Sequence, residues 1–151
     1  MKTLNWCKKQ NGGIELISPN QNLCEEYFKK AEEALDAVRR LEGNNEWQIS
    51  SAYYAMYFSL YAILMKLGIK SEIHKCTIEF MKRIKHFSKQ DITLLEGASQ
   101  SRIDVQYYTD RYISDSERIF LVKSASEFYF KCRDISSKIL EKDIIIIRAT
   151  F

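Results

Sequence analysis

Arg102 is the residue whose type and position point most clearly to chemistry. It lies on a stripe whose apolar members are Ile92, Leu95, Ala98 and Val105, a spacing that predicts the inner face of a helix. A guanidinium on an inner face needs acceptors, because an unpaired buried charge is costly. The position predicts either an anion-binding arginine or a structural one that joins neighbouring helices through carboxylate or carbonyl contacts.

Three residues that follow Arg102 are further candidates for the same site. Asp104 is a candidate for ligand binding, and Tyr107 and Tyr108 are candidates for a catalytic role. A tyrosine has a pKa of about 10, so only about one molecule in a thousand is ionised at pH 7. We therefore expect these tyrosines to donate hydrogen bonds to a phosphate more readily than they accept a proton.

His74 is another candidate for catalysis. We expect Ser71 to cap a helix, which places His74 near the N-terminus of that helix. The helix dipole there favours a neutral imidazole, which suits a base or a hydrogen-bond acceptor. The alternative is a histidine that only bonds a neighbouring helix, and a role beside Arg102 requires the fold to bring the two residues together.

The helix that must organise these residues covers positions 47–67. Its segment 52–65 is apolar around nearly the whole circumference, which predicts a central helix covered on several sides. The run is too short for a bilayer, and its tyrosine hydroxyls would lack partners in lipid, so we expect no membrane span. Most of its tyrosines belong to the core, but Tyr53 and Tyr54 are candidates for ligand binding in a cleft near Arg102.

Four more helices are predicted from apolar periodicity and capping signals. The first continues to about residue 42, and Gly43 and Gly68 are stop signals. The start signals are Ser18 with Pro19 and Gln21, Ser71, Ser88 with Asp91, and Ser114 with Glu117. The isoleucine-rich tail, residues 143–151, predicts a strand that either pairs with residues 14–17 or forms an interface.

The composition favours a helical globular protein. The chain has 151 residues, of which 46% are hydrophobic and 28% charged, with one Pro and five Gly, so disorder and an all-β fold are disfavoured. The sequence therefore predicts an all-α protein with an up-and-down bundle of about five helices. Short terminal β-strands are compatible with this prediction. We expect one domain over residues 1–151, with a core at about 22–141 and extensions at 1–21 and 142–151.

The cysteines and the common motifs exclude several functional classes. The four cysteines, at positions 7, 24, 76 and 132, form no C-x-x-C pair, which argues against zinc and a redox motif and predicts core thiols. Phosphate-loop, dinucleotide, zinc-protease and esterase motifs are absent from the sequence. We expect no metal site and no cofactor. The N-terminus lacks the apolar region of a signal peptide, so we expect a cytoplasmic protein.

The net charge of +3 is too small to identify a nucleic-acid-binding protein by itself. One local basic run is present, and either it contacts a phosphate backbone or it is a solvated surface whose cations favour a helix C-terminus. The run consists of Lys82, Arg83, Lys85, His86 and Lys89.

Three segments in order resemble the small prokaryotic HEPN-domain proteins. They are residues 51–57 (SAYYAMY), 68–74 (GIKSEIH) and 102–108 (RIDVQYY), and the similarity covers roughly residues 23–140. The resemblance implies a helical bundle that dimerises and acts with a minimal nucleotidyltransferase as a toxin–antitoxin pair. Many such proteins are metal-independent ribonucleases with an R-x(4–6)-H motif, in which the arginine and histidine of two subunits face each other across the dimer cleft.

The match to that motif is partial. Arg102 fits the family arginine, but Tyr107, Tyr108 and Thr109 occupy the positions where the histidine should fall. Cleavage of RNA needs a group that takes the 2′-hydroxyl proton, and histidine suits this role near neutral pH. The substitution is therefore more harmful to catalysis than to binding.

Three hypotheses follow. The first is a non-catalytic or weakly catalytic bundle that binds a nucleotide or RNA phosphate through Arg102, as a homodimer and as the partner of a nucleotidyltransferase. The second is a metal-independent ribonuclease toxin, in which Arg102 stabilises the transition state and Tyr107, Tyr108 or His74 assists. The third is a purely structural interaction bundle in which Arg102 joins helices.

Overall fold

The computed structural model describes residues 3–151, which form seven helices and a two-stranded sheet. In chain order the elements are α1 (Leu4–Lys9), β1 (Ile14–Leu16), α2 (Gln21–Arg40), α3 (Asn45–Leu67), β2 (Ile69–Ser71), α4 (His74–Met81), α5 (Lys89–Tyr107), α6 (Asp115–Lys138) and α7 (Glu141–Ala149). The predicted all-α class is confirmed, and the five predicted helices correspond to α2, α3, α4, α5 and α6.

The predicted central helix is α3, and α2, α5 and α6 pack around it. Its largest fully buried side chains are Tyr53, Ile49, Met56, Leu60, Ile63, Leu64 and Leu67. Full burial of one such side chain contributes about 1.5–3 kcal/mol, so this helix supplies much of the core stabilisation. Among residues 3–151, no helix has both the length and the apolarity needed to cross a membrane.

Gly68 ends α3 as predicted, with a left-handed φ of 72°. Its N–H bonds to the carbonyls of Leu64 and Met65, which closes the last turn of the helix. A Cβ added at this position would lie 2.3 Å from an Arg148 side-chain nitrogen and 2.4 Å from the Ile17 carbonyl oxygen. Backbone conformation and lack of space therefore both favour glycine here.

The predicted start of α2 is wrong, because Asn20 rather than Ser18 caps this helix. The Asn20 side chain accepts a hydrogen bond from the Leu23 N–H, at 2.9 Å. The Asn20 N–H in turn donates to the Met65 carbonyl, so the chain is held against α3 before the helix begins. This tertiary contact explains why the capping box predicted from Ser18 does not form.

The predicted cap of α4 is also wrong. Ser71 lies in β2, where it pairs with Ile14 of β1 in an antiparallel register. Its hydroxyl donates to the Ile73 carbonyl instead of capping a helix N-terminus. The helix begins only at His74, so this histidine is its first residue.

The capping signals of α5 and α6 were correctly predicted. Ser88 accepts a hydrogen bond from the Asp91 N–H, and the Asp91 carboxylate accepts one from the Ser88 N–H, which completes a capping box. Ser114 likewise accepts a hydrogen bond from the Glu117 N–H at the start of α6. These local bonds satisfy backbone donors that helices leave free at their first turn.

The expectation of four core thiols is wrong for two cysteines. Cys7 and Cys76 form a disulfide that connects α1 to α4 across a sequence separation of 69 residues. Cysteine spacing cannot reveal this pairing, because connectivity depends on the tertiary fold. Cys24 and Cys132 are buried free thiols, and burial raises the pKa of both.

The predicted C-terminal strand is wrong, because residues 141–149 form α7. The Asp143 carboxylate accepts a hydrogen bond from the Leu140 N–H and so stabilises the first turn. The helix places Ile144 and Ile147 against the core, and Arg148 donates hydrogen bonds to the carbonyls of Ile17, Leu67 and Gly68. With its tail helical, the chain forms its small sheet from β1 and β2 instead.

Candidate functional site

Side chains from three helices meet near the first turn of α4. The central helix α3 contributes Tyr53, Tyr54 and Tyr57, α4 contributes His74, and α5 contributes Arg102. We call these five residues the Arg102–His74 cluster. The fold thus brings together four residues proposed from the sequence, Arg102, His74, Tyr53 and Tyr54.

The Arg102 guanidinium lies over two tyrosine rings. Its Cζ atom is 5.0 Å from the ring centroid of Tyr53 and 5.7 Å from that of Tyr54. One terminal nitrogen donates to the Gln106 side-chain oxygen at 3.0 Å, while the buried Nε–H finds no acceptor in the described part of the chain. Within residues 3–151 Arg102 forms no ion pair with a carboxylate. The half-buried cation therefore keeps donors for an anion.

His74 is fixed by two tyrosines of α3. Its Nδ1 lies 2.7 Å from the Tyr53 hydroxyl oxygen, and its ring stacks on Tyr57 with a centroid distance of 4.0 Å and an interplanar angle of 8°. The Tyr57 hydroxyl is hydrogen-bonded to the Thr77 hydroxyl, one turn further along α4. Because these partners are buried in α3, the imidazole has little freedom to rotate.

Burial keeps His74, Tyr53 and Tyr57 in their neutral forms at neutral pH. Burial, aided by the positive charge of Arg102, lowers the pKa of His74, so its imidazole is neutral at neutral pH. Burial raises the pKa of Tyr53 to about 12, although the Ser99 hydroxyl and Arg102 act in the opposite direction. Burial also raises the pKa of Tyr57. Tyr53 therefore remains a phenol that can either donate to His74 or accept from it.

The tautomer of His74 decides what the cluster can do. If Nδ1 accepts the Tyr53 proton, Nε2 carries a proton and can donate to a ligand oxygen. If Nδ1 donates to Tyr53, Nε2 has a free lone pair and can act as a base. Nε2 has no hydrogen-bond partner within residues 3–151, so either form leaves it available.

Two of the other sequence candidates, Asp104 and Tyr108, lie in a separate group around Arg111. Asp104 accepts hydrogen bonds from Gln100 and Arg111, and the Arg111 guanidinium lies 3.6 Å from the Tyr108 ring centroid. Tyr107 is 71% exposed and lines a small surface cavity. The structure therefore does not bring Asp104, Tyr107 or Tyr108 into hydrogen-bond or ring contact with Arg102.

Sequence reasoning did not assign three residues that shape the cluster. Gln106 accepts the Arg102 hydrogen bond, and its i+4 spacing on the same helix face was an available signal. Tyr57 lies one helical turn after Tyr53, so the same stripe of α3 placed it nearby. Ser99, which affects the pKa of Tyr53, had no comparable signal.

Two surface cavities include residues of α5 that are close to Arg102 in sequence, although Arg102 itself lines neither. One, of about 500 Å³, lies between α4 and α5 and is lined by Lys75, Ile78, Glu79, Lys82, Glu96, Ser99, Gln100 and Ile103. The other, of about 270 Å³, is lined by Glu46, Trp47, Ser50, Val105, Gln106 and Tyr107. A third cavity, of about 490 Å³, is more apolar and lies away from the cluster, between α5 and α6.

The basic run predicted between α4 and α5 is largely a surface feature. Lys82 forms an ion pair with Glu79, and Arg83, Lys85 and Lys89 are exposed. Among residues 3–151 there is no group of three or more His, Cys, Asp or Glu side chains that could hold a metal ion. The groups that the Arg102–His74 cluster can present to a ligand are therefore a guanidinium and aromatic rings.

Comparison with known proteins identifies the family. The HEPN domain model matches residues 24–135, which include most of α2, all of α3, α4 and α5, and most of α6. Every residue of the Arg102–His74 cluster lies in the match, whereas α1, β1 and α7 lie outside it. No curated protein matches the chain significantly. The chain therefore belongs to the HEPN-domain family, which indicates a function related to nucleotides or RNA.

Proposed function

We propose that this HEPN-domain chain binds the phosphate of a nucleotide or of RNA through Arg102. The observation that carries this proposal is a guanidinium that lies over Tyr53 and Tyr54 and has no carboxylate partner within residues 3–151. Ring faces attract a cation without neutralising its charge. The planar guanidinium can therefore present two N–H groups to two phosphate oxygens.

Nucleotide titration tests this proposal. We expect Arg102→Ala to raise the Kd of adenosine 5′-monophosphate or a short single-stranded RNA about 10- to 100-fold, because a charged hydrogen bond contributes about 1.5–3 kcal/mol. Arg40→Ala is the matched control, since it removes the same charge from an exposed position at the end of α2. Wild-type affinity in Arg102→Ala would remove this residue from the site and favour the structural bundle.

A metal-independent ribonuclease is the second candidate, and the proximity of His74 to Arg102 favours it. In this mechanism His74 Nε2 takes the 2′-hydroxyl proton, and the 2′-oxygen attacks the adjacent phosphorus. The bond to the 5′-oxygen breaks, and this oxygen leaves with a proton from water. Arg102 stabilises the charge that develops on the phosphoryl oxygens. The lowered pKa of His74 keeps the base form populated at neutral pH.

Incubation of RNA with the purified protein in EDTA separates the two candidates. If the chain is a ribonuclease, cleavage persists without metal and is lost in both Arg102→Ala and His74→Gln. Tyr107→Phe and Tyr108→Phe then test the tyrosines in the family histidine positions. We expect both variants to retain cleavage, because within residues 3–151 neither tyrosine forms a hydrogen bond or ring contact with Arg102. Binding without cleavage in the wild type supports the non-catalytic proposal.

The proposed assembly is a homodimer formed along α5 and α6. Phe120 is 60% exposed and lines the apolar cavity of about 490 Å³ between these helices. Gly97, on the opposite wall, has open space where a Cβ would lie. An exposed ring and an open space on the same face suit a two-fold interface. In such an interface the Phe120 ring of each copy can pack into the space at Gly97 of the other. Sedimentation equilibrium should detect a dimer, and Phe120→Ser should weaken it.

The proposed biological partner is a nucleotidyltransferase, with which the chain would form a toxin–antitoxin type system in the cytoplasm. This part of the proposal is supported by the resemblance to small prokaryotic HEPN proteins. Co-expression with the product of a neighbouring nucleotidyltransferase reading frame, followed by co-purification, tests the pair. Growth arrest by one protein and rescue by the other would assign the toxin and antitoxin roles, and the lack of such a neighbour would contradict the proposal.

A further inference from the structure

The N-terminal segment, residues 3–16, holds the chain that carries His74 into the cluster. Cys7 of α1 is bonded to Cys76 of α4, and the Gly12 carbonyl accepts a hydrogen bond from the Glu72 N–H at 2.8 Å. β1 adds a ladder in which Ile14, Glu15 and Leu16 pair with Ser71, Lys70 and Ile69. The segment thus attaches to the chain on both sides of His74, and it lies outside the matched HEPN region.

The local structure at His74 depends on these attachments. Among residues 3–151 no side chain caps the N-terminus of α4, so its first turn lacks the stabilisation found at α5 and α6. On the cluster side, His74 bonds to the Tyr53 hydroxyl, stacks on the Tyr57 ring and meets the Tyr54 ring edge-on. His74 is therefore held between the buried tyrosines and a backbone that the N-terminal segment fixes from outside.

We propose that the Cys7–Cys76 disulfide is a thiol–disulfide switch that controls the position of His74 in the Arg102–His74 cluster. In the oxidised form the first turn of α4 is tethered and His74 stays against Tyr53 and Tyr57. In the reduced form α1 separates from α4, the first turn loosens, and the cluster loses its fixed imidazole. The functional consequence, weaker binding at Arg102, rests on the function proposed above.

The switch requires a dithiol reductant. One thiolate of the dithiol attacks a sulfur of the Cys7–Cys76 bond and forms a mixed disulfide, and the first protein cysteine leaves as a thiolate that takes a proton. The second thiol of the reductant then displaces the other cysteine. The protein gains two thiols, and the dithiol becomes a disulfide. Disulfides in a reducing cytosol are usually transient and redox-sensing, which agrees with this use.

Reduction of the disulfide also requires α1 to open locally, because the two sulfurs are buried. Both cysteines have no exposed surface, so a thiolate reaches them only after a local opening. α1 has six residues and packs mainly against β1 and α4. It is therefore the smallest element whose local unfolding would expose the disulfide. α1 contributes Leu4 and Cys7 to the buried core, whereas α2, α5 and α6 make the main packing contacts with α3. We therefore expect the helical core to stay folded when the disulfide is reduced.

The histidine signals in an NMR spectrum provide a direct test. The chain has two histidines, so a His74→Gln variant assigns both ring signals, and His86 serves as the internal reference. We expect dithiothreitol to shift and broaden the His74 signal while the far-UV circular dichroism remains helical. The Kd for adenosine 5′-monophosphate should rise about tenfold if about one molecule in ten keeps the competent arrangement. A Cys7→Ser, Cys76→Ser double variant should resemble the reduced protein and no longer respond to dithiothreitol.

A variant of a cysteine outside the disulfide serves as the matched control. Cys132→Ala removes a buried thiol but keeps the disulfide, so its His74 signal should match the wild type and still respond to dithiothreitol. An unchanged His74 signal after complete reduction overturns the switch. A global loss of helicity also overturns it, because the disulfide would then be required for the whole fold and not for the position of His74 alone. If the signal shifts but the oxidised protein binds no nucleotide, the proposed function fails and the control of His74 remains.

Discussion

At the scale of single residues, Arg102 and Arg111 show how similar contacts give different chemistry. Each guanidinium lies over a tyrosine ring, but Arg111 also forms an ion pair with Asp104. That carboxylate neutralises the charge and occupies donors, whereas the hydrogen-bond partner of Arg102 within residues 3–151 is the uncharged Gln106 amide. Of these two arginines, Arg102 is therefore the one suited to hold an anion.

His74 gives a prediction about pH. Its pKa is lowered in the folded protein, mainly by burial and also by Arg102, so the unfolded chain binds more protons as the pH falls below the ordinary value of about 6.5. The contribution of His74 to the free energy of unfolding should therefore be fully present above that pH and be lost as the pH falls below it. Thermal unfolding at about pH 7.5 and about pH 5 should show a smaller decline for His74→Gln than for the wild type. Equal declines would contradict the environment described for His74.

At the scale of elements, two glycines predict opposite effects of the same substitution. Gly68→Ala should destabilise the protein by about 1–3 kcal/mol, because the left-handed φ and the contacts of Arg148 and Ile17 leave no place for a Cβ. Gly97→Ala, in the interior of α5 with open space around it, should stabilise by about 0.5–1 kcal/mol. Urea unfolding of the two variants checks the prediction, and a stabilising Gly68→Ala would contradict it.

The start of α5 gives a second prediction at this scale. The Asp91 carboxylate accepts hydrogen bonds from the Ser88 N–H and hydroxyl and from Lys131 of α6. These bonds lower its pKa although burial alone would raise it, so its contribution is present at neutral pH and is lost as the pH falls below the ordinary carboxyl range. Asp91→Ala should cost about 1–2 kcal/mol in urea unfolding at neutral pH.

The control for Asp91 is the corresponding position of α6, the other helix with a serine cap. Glu117 also lies three residues after a serine cap, but its carboxylate forms no hydrogen bond within residues 3–151. Glu117→Ala should therefore change stability by less than Asp91→Ala. An equal loss in both variants would show that the reciprocal capping bond and the Lys131 contact contribute little.

At the scale of the whole molecule, the disulfide joins two parts of the chain that are far apart in sequence. Closing a loop with a separation of 69 residues restricts the unfolded chain, which stabilises the native state by about 2–4 kcal/mol. Reduction or the Cys7→Ser, Cys76→Ser double variant should lower Tm by roughly 5–15 °C in calorimetry without abolishing the cooperative transition. An unchanged Tm would indicate that the disulfide does not form.

The sequence by itself determined the helical class, the central helix, the capped starts of α5 and α6, the left-handed end at Gly68 and the family. These features are local, because hydrophobic periodicity and capping bonds act within a few residues. The sequence also indicated Arg102, since a charge on an apolar stripe is visible without a fold.

Only the tertiary structure decided which residues join Arg102. In the structure His74 lies beside Tyr53 and Tyr57, whereas Asp104 and Tyr108 contact Arg111 instead of Arg102. It also paired Cys7 with Cys76 and made the isoleucine-rich tail helical, because Arg148 bonds to distant backbone carbonyls there. Such contacts depend on which surfaces meet when helices pack, and residue type and spacing along one chain do not contain that information.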